Sequence, residues 1–245
     1  MTVREAPTGW RIAGSAFSVL VLLIGAGLAA ATAAQQSSDT TVSCLGVRKL
    51  VVEAGAGRLT VRRGGPAVLV HRHLTWSWFR PHVEERQDGT TLTLRADCSE
   101  PVSDRAEATI AINCVADYTI EVPRELEITA STAEGIAVHD VTGPVDLTCT
   151  EGSITVTGAG GPVTARTGPG DVAVGFAQPP SSANLTSDQG DIRLVVPPDS
   201  DYQISSSRLS ERRTRITVVH EPAAGHRLTT HTGSGSISID YGPTS

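Results

Sequence analysis

From residue 46 onward, apolar residues occupy alternate positions over short runs, and glycine-containing turns separate the runs. Period-two alternation is the signature of a strand with one buried face. No apolar run with helical period interrupts it. The pattern predicts an all-β fold of many short strands.

The strands repeat. Five turns share a form: Thr132-Ala133-Glu134-Gly135, Thr150-Glu151-Gly152-Ser153, Thr167-Gly168-Pro169-Gly170-Asp171, Ser187-Asp188-Gln189-Gly190-Asp191 and Thr232-Gly233-Ser234-Gly235-Ser236. A β-branched residue follows each: Ile136, Ile154, Val172, Ile192 and Ile237. Two positions on stand Val138, Val156, Val174, Leu194 and Ile239. The first four starts are 18, 18 and 20 residues apart (154−136, 172−154, 192−172). The last gap is 45 (237−192), and Ile216 with Val218 would fill it with another copy. A first strand precedes each turn, with inward pairs predicted at Leu126/Ile128, Val145/Leu147, Val163/Ala165, Ala183/Leu185 and Tyr202/Ile204. Leu50/Val52 followed by Leu59/Val61 place an earlier unit at 49–62. Between it and the main array, Ala67–His73 and Thr90–Ala96 read as hairpin strands around Gln87-Asp88-Gly89, with Ala108–Val115 and Tyr118–Val122 after them. Such units can stack as a β-solenoid or pair as a meander rolled into a sandwich. The near-constant phase favours the solenoid-like stack. Gly135, Gly152, Gly170, Gly190 and Gly235 are the structural turn glycines, expected at positive φ.

The N-terminal pattern differs. Residues 13–34 carry no charge and have the apolar centre Phe17 to Ile24. About 20 apolar residues span a bilayer. Trp10 and Arg11 stand at the near edge, Arg4 precedes them, and the next basic residue is Arg48. By the positive-inside rule this predicts a cytoplasmic tail at 1–12, a transmembrane helix at 13–34, a linker at 35–45 and an extracytoplasmic β-domain at 46–245. Ala31-Thr32-Ala33 also suits signal cleavage, which would give a secreted product. Both readings export the β-domain. Gly25-Ala26-Gly27-Leu28-Ala29-Ala30 imitates a dinucleotide fingerprint, but no strand precedes it.

Composition narrows the picture. A net charge of −6 argues against nucleic acid. Lys49 is the only lysine, and the Arg- and Ala-rich composition suggests a high-GC bacterial source. Arg208–Arg215 is the basic cluster, read as a solvated turn.

All four cysteines fall on the exported side, where disulfides persist. Cys98 ends one predicted strand and Cys114 lies in the next, so these two are expected to pair. Cys44 and Cys149 remain, as a second bridge or, for Cys149, a buried thiol. No Cys-x-x-Cys spacing marks a zinc or redox site. His71 and His73 with His82 and Glu84 make a weak metal constellation and read as surface residues. Asp171 and Asp191 lack the tandem pattern of calcium-binding coils and read as turn residues. Trp76 and Trp78 are expected to cap the open end of the core, with a ligand platform as the alternative.

Leu74-Thr75-Trp76-Ser77-Trp78-Phe79-Arg80-Pro81, then Gly89-Thr90-Thr91-Leu92 and Cys98, then Cys114, Asp117-Tyr118 and Ile120-Glu121-Val122-Pro123, and finally the turns from 135 to 239, stand in a recognisable order. Over residues 46–242 the chain resembles bacterial β-strand-repeat proteins grouped as an adhesin domain of unknown function. The resemblance implies a surface-exposed β-repeat domain tethered by an N-terminal helix, and it transfers no catalytic residue.

No serine-hydrolase, Ser-x-x-Lys or zinc-protease motif occurs. The chain is therefore expected to be a non-enzymatic, membrane-anchored surface protein. It would need no cofactor, bind no nucleic acid, and take an envelope or surface ligand, protein or glycan. An envelope-stress sensing component acting through a partner is the rival, and a polysaccharide-acting β-helix enzyme the remote one.

Overall fold

The computed structural model describes residues 35–77, 80–98, 114–208 and 214–242. The expected tail and transmembrane helix, Trp78, Phe79, nearly all of the 108–115 strand and the centre of the basic cluster lie outside the described residues.

Among the described residues there are nineteen strands and no helix. They are β1 (Gln36–Cys44), β2 (Lys49–Ala54), β3 (Arg58–Arg63), β4 (Val68–Trp76), β5 (His82–Asp88), β6 (Thr91–Asp97) and β7 (Val115–Val122). Then come β8 (Glu127–Thr132), β9 (Gly135–His139), β10 (Val145–Cys149), β11 (Ser153–Ala159), β12 (Val163–Thr167) and β13 (Val172–Phe176). The last are β14 (Ser182–Ser187), β15 (Ile192–Val196), β16 (Tyr202–Arg208), β17 (Thr214–Ile216), β18 (His226–Thr232) and β19 (Ile237–Tyr241).

They form two open sheets of mixed pairing. One has ten strands in the order β1-β4-β7-β3-β9-β11-β13-β15-β19-β17. The other has nine, β5-β6-β2-β8-β10-β12-β14-β18-β16. From β8 to β15 the chain alternates between the sheets, and each strand pairs in parallel with the next strand of its own sheet. The apolar alternation dictates this. Ile136, Ile154, Val172, Ile192 and Ile237 align in one row, and Val138, Val156, Val174, Leu194 and Ile239 in the next. Each of these ten side chains is buried between the sheets. A shift of one residue would turn the whole face to solvent, so the register is strongly fixed.

Several expectations are corrected. Residues 36–44, expected as linker, form β1 and pair along their full length with β4. The turn at Asp88-Gly89 joins β5 to β6, not β4 to β6, and β4 lies in the opposite sheet. Ile128 and Ala130, rather than Leu126 and Ile128, align with Val145 and Leu147. The copy around Ile216 exists as β17, but β17 sits outside β19 instead of between β15 and β19. The last unit of the sequence, β18/β19, inserts inside β16/β17. The first unit, β2/β3, likewise inserts between β6/β7 and β8/β9. Both sequence-terminal units are thus covered on each side. The four strands left at the edges are polar or short: β5 is HVEERQD, β16 is YQISSSR, β1 is QSSDTTVSC and β17 is TRI. Charged and short edges discourage edge-to-edge association.

The turn glycines also act differently from the expectation. Of the five, Gly135 alone has a positive φ, at 149°. The other four are required by close approach between units. A Cβ on Gly152 would lie 1.9 Å from Glu134 O, on Gly170 2.0 Å from Gly152 O, on Gly190 2.0 Å from Gly170 O and on Gly235 1.8 Å from Gly190 O.

Candidate functional site

Beside the glycines runs a buried polar ladder. Thr132, Cys149, Thr167, Ser187 and Thr232 are in register on β8, β10, β12, β14 and β18. Ser187 Oγ donates to Gly170 O at 2.7 Å and accepts from Gly190 N at 2.7 Å. Thr232 repeats the arrangement with Gly190 O at 2.9 Å and Gly235 N at 3.0 Å. Cys149 Sγ takes the same role, accepting from Gly152 N at 3.2 Å and donating to Ala133 O at 3.4 Å. The ladder satisfies buried backbone groups at each turn. It is structural, and its sequence trace is a hydroxyl or thiol three residues before each glycine.

Cys98 and Cys114 form a disulfide with Cα atoms 5.8 Å apart. The second bridge is not formed: Cys44 and Cys149 are free thiols. Cys44 ends β1, the outermost strand of one sheet, while Cys149 is built into the ladder of the other. Burial, with Glu85 nearby, pushes the Cys44 thiol above its ordinary value.

The histidine constellation is not assembled. His73 Nδ1 contacts Asp39 at 2.7 Å and His71 contacts Thr41 at 3.0 Å, both on neighbouring β1. His82 and Glu84 belong to β5 in the other sheet. Asp171 and Asp191 form hydrogen-bonded steps. Asp171 Oδ1 accepts from Asp191 N at 2.8 Å, and Asp191 Oδ1 accepts from Ser236 N at 2.7 Å. Trp76 is buried at 9% exposure on β4, with the Arg80 guanidinium 5.3 Å from its ring centroid.

The surface with ligand-sized relief is the outer face of the nine-strand sheet. Its outward side chains form two parallel rows. One runs Thr93, Val51, Thr129, Asp146, Thr164, Asn184, Thr229, Ser205, and the other Arg95, Glu53, Ser131, Thr148, Arg166, Thr186, His231, Ser207. At about 4.8 Å between strands, eight strands give a track roughly 33 Å long. A depression of about 860 Å³ lies across β6, β2, β8, β10 and β12. A second, of about 360 Å³, adjoins it and shares Thr129 and Asp146. Glu53 and Arg95 pair at 2.9 Å, and Lys49 and Glu127 at 2.8 Å. Hydroxyls, one amide and paired charges line the track, and it carries no aromatic side chain other than His231. Sequence reasoning missed the track because its residues come from eight strands spread over the chain. The outward threonines were visible singly, but their rows follow only from the register.

No family model matches this chain, and no curated protein matches it in sequence. Solved structures do. A "putative cell adhesion protein" from Clostridium sporogenes superposes with a TM-score of 0.54 at 11% identity, covering 84% of this chain and 100% of that one. A "putative adhesin" from Bacteroides fragilis gives 0.41 at 12% identity, over 84% and 97% of the two chains. A "putative lipid binding protein" from Parabacteroides distasonis gives 0.37 at 11% identity, over 83% and 96%. The Clostridium likeness shows a shared all-β fold. Identity this low shows the fold alone.

Proposed function

We propose that the chain is a non-catalytic, extracytoplasmic binding module, anchored by residues 13–34, that holds an extended, hydroxyl-rich envelope polymer along the outer face of its nine-strand sheet. The observation that carries this reading is the double row of hydrogen-bonding side chains at strand spacing. Protein interfaces draw their affinity from buried aromatic and apolar anchors. This face offers Val51 as its one large apolar side chain, so it suits a polar, repeating ligand better than a protein. Many weak contacts in line give avidity with little specificity at any one position. The solenoid-like stacking of units serves the same end, because one unit repeated presents one surface repeated. A cell-adhesion role, the description attached to the Clostridium structure, agrees with such a surface.

Sedimentation of the full-length chain with insoluble cell-wall polysaccharide tests the proposal. The double variant Thr148→Glu/Arg166→Glu, on the exposed track, should lose at least about tenfold in binding, equivalent to roughly 1.4 kcal/mol. Arg193→Glu, on the outer face of the ten-strand sheet, should bind as the parent does. Equal binding by all three proteins would remove the track from the function.

A further inference from the structure

The two sheets end unevenly where the chain enters the fold. Among the described residues the ten-strand sheet has one strand more, and β1 has no counterpart beside β5. The inward side of this end is polar. Arg72 projects from β4 between Val70 and Leu74, which are each 1% exposed. It reaches across the gap between the sheets to an ion pair with Glu85 of β5. Its Nε is buried and has no hydrogen-bond partner among the described residues. Opposite Arg72 on β7 is Tyr118, 2% exposed. The Tyr118 hydroxyl is buried beside the Arg72 guanidinium, whose charge acts on it. Burial pushes this hydroxyl above its ordinary pKa, against the pull of the Arg72 cation, so it stays protonated.

A cavity of about 310 Å³ opens at this place, lined by Arg72, Leu74, Arg80, Pro81, Val83 and Glu85. That volume is at the small end of ligand pockets. Two guanidinium groups against one carboxylate leave a net positive charge. A buried donor without an acceptor is costly, and such groups concentrate where a ligand completes them. Guanidinium forks match phosphate oxygens, and Glu85 can accept from a hydroxyl or ammonium on the same ligand.

We propose that this cavity binds the phosphodiester headgroup of a membrane phospholipid. The Arg72 and Arg80 guanidinium groups donate to the phosphate oxygens, and Glu85 takes the headgroup's own donor. Lipid is the favoured source because of the strand register. Gln36, two residues beyond the apolar stretch, pairs with Trp76, the last residue of β4. Arg72 is four residues from that point, about 13 Å along the strand. Arg80, exposed beside this end, is a cation of the kind that anionic headgroups attract. The choice of lipid as the source rests on the anchored reading of residues 13–34, whereas the pocket itself does not.

The test is thermal unfolding of the full-length chain in an uncharged maltoside detergent. The probes are short-chain phosphatidylglycerol, short-chain phosphatidylcholine and soluble glycerol 3-phosphate. Phosphatidylglycerol should raise the melting temperature in a saturable way. Arg80→Glu, on an exposed side chain, should weaken the response at least about tenfold, a loss of roughly 1.4 kcal/mol. Tyr118→Phe, behind the cavity wall and outside its lining, is the control and should respond as the parent does. Equal stabilisation by glycerol 3-phosphate, mole for mole, would overturn the lipid source. An unchanged response in Arg80→Glu, or no response in the parent, would overturn the site. Protease accessibility in cells reports separately on the anchored reading, so the two failures are distinguishable.

Discussion

Replacing Gly170 by alanine adds one methyl group, and the structure sets its cost. The new Cβ would stand 2.0 Å from Gly152 O, 2.5 Å from Gly152 C and 2.9 Å from Ser153 N. An ordinary carbon contact is about 3.5 Å, so the two backbones would have to separate by roughly 1.5 Å. Hydrogen bonds between the units cannot stretch that far. Those at risk are Ile154 N to Asp171 O at 2.8 Å, Asp171 N to Ser153 Oγ at 3.1 Å, and Thr167 Oγ1 to Gly152 O at 2.6 Å. At about 1 kcal/mol for each of the three, with a further 1–3 kcal/mol for a carbonyl left buried and unpaired, the loss is about 4–6 kcal/mol. This exceeds what φ strain alone would give, about 1–3 kcal/mol. For a chain of this size it corresponds to a fall in Tm of roughly 8–24 °C. Gly225→Ala is the control: it meets nothing within 4 Å and should lie within about 0.5 kcal/mol of the parent. Urea and thermal melts of the full-length chain, followed by circular dichroism, give both values. If Gly170→Ala melts with Gly225→Ala, the close stacking of units at this turn is wrong.

Cys149→Ser should be nearly neutral, because a hydroxyl fills the same rung, whereas Cys149→Val should cost about 0.5–1.5 kcal/mol by removing one of the two acceptors of Gly152 N, which keeps Ala133 O at 3.1 Å. Denaturation midpoints for the pair check this, and equal values would remove the ladder role. Peptide mapping without reduction should recover one cross-linked peptide joining Cys98 to Cys114, with Cys44 and Cys149 alkylated. Losing that bridge should cost about 3 kcal/mol on unfolded-chain constraint, and finding Cys44 joined to Cys149 would refute the assignment. Tyr202 is fully buried, donates to Pro197 O at 2.8 Å, and has its pKa raised to about 12 by burial, with Tyr241 and Asp199 adding to it. The folded state therefore holds this proton more tightly than the unfolded chain does. Stability is intact below pH 10 and falls as pH rises through about 12. Tyr202→Phe should flatten that loss in alkaline denaturation curves, and an unchanged slope would refute the attribution. Protease added to spheroplasts should digest residues 46–245, and a protected β-domain would reverse the proposed topology.

The sequence by itself determined the kind of structure this is. Period-two alternation can bury one face only as strands. The recurrence of Ile or Val after each turn glycine specified the rows of the ten-strand sheet, because side-chain direction along a strand is fixed by parity. The pairing of Cys98 with Cys114 was legible because one follows a strand and the other precedes the next. What the sequence could not carry was adjacency between distant segments. Nothing local to β18/β19 says that it slips inside β16/β17, or that β2/β3 slips inside β6/β7. These choices depend on which partner covers an open edge. The polar 36–44 segment reads as linker because an edge strand needs little apolar content, yet β4 gave it a full ladder of partners. The glycines were picked out correctly, but for four of the five the reason lies across the stack, in a carbonyl of the preceding unit. Likewise the threonine track and the Arg72–Arg80–Glu85 cavity draw their walls from more than one strand. Only the register that brings those strands together makes them sites.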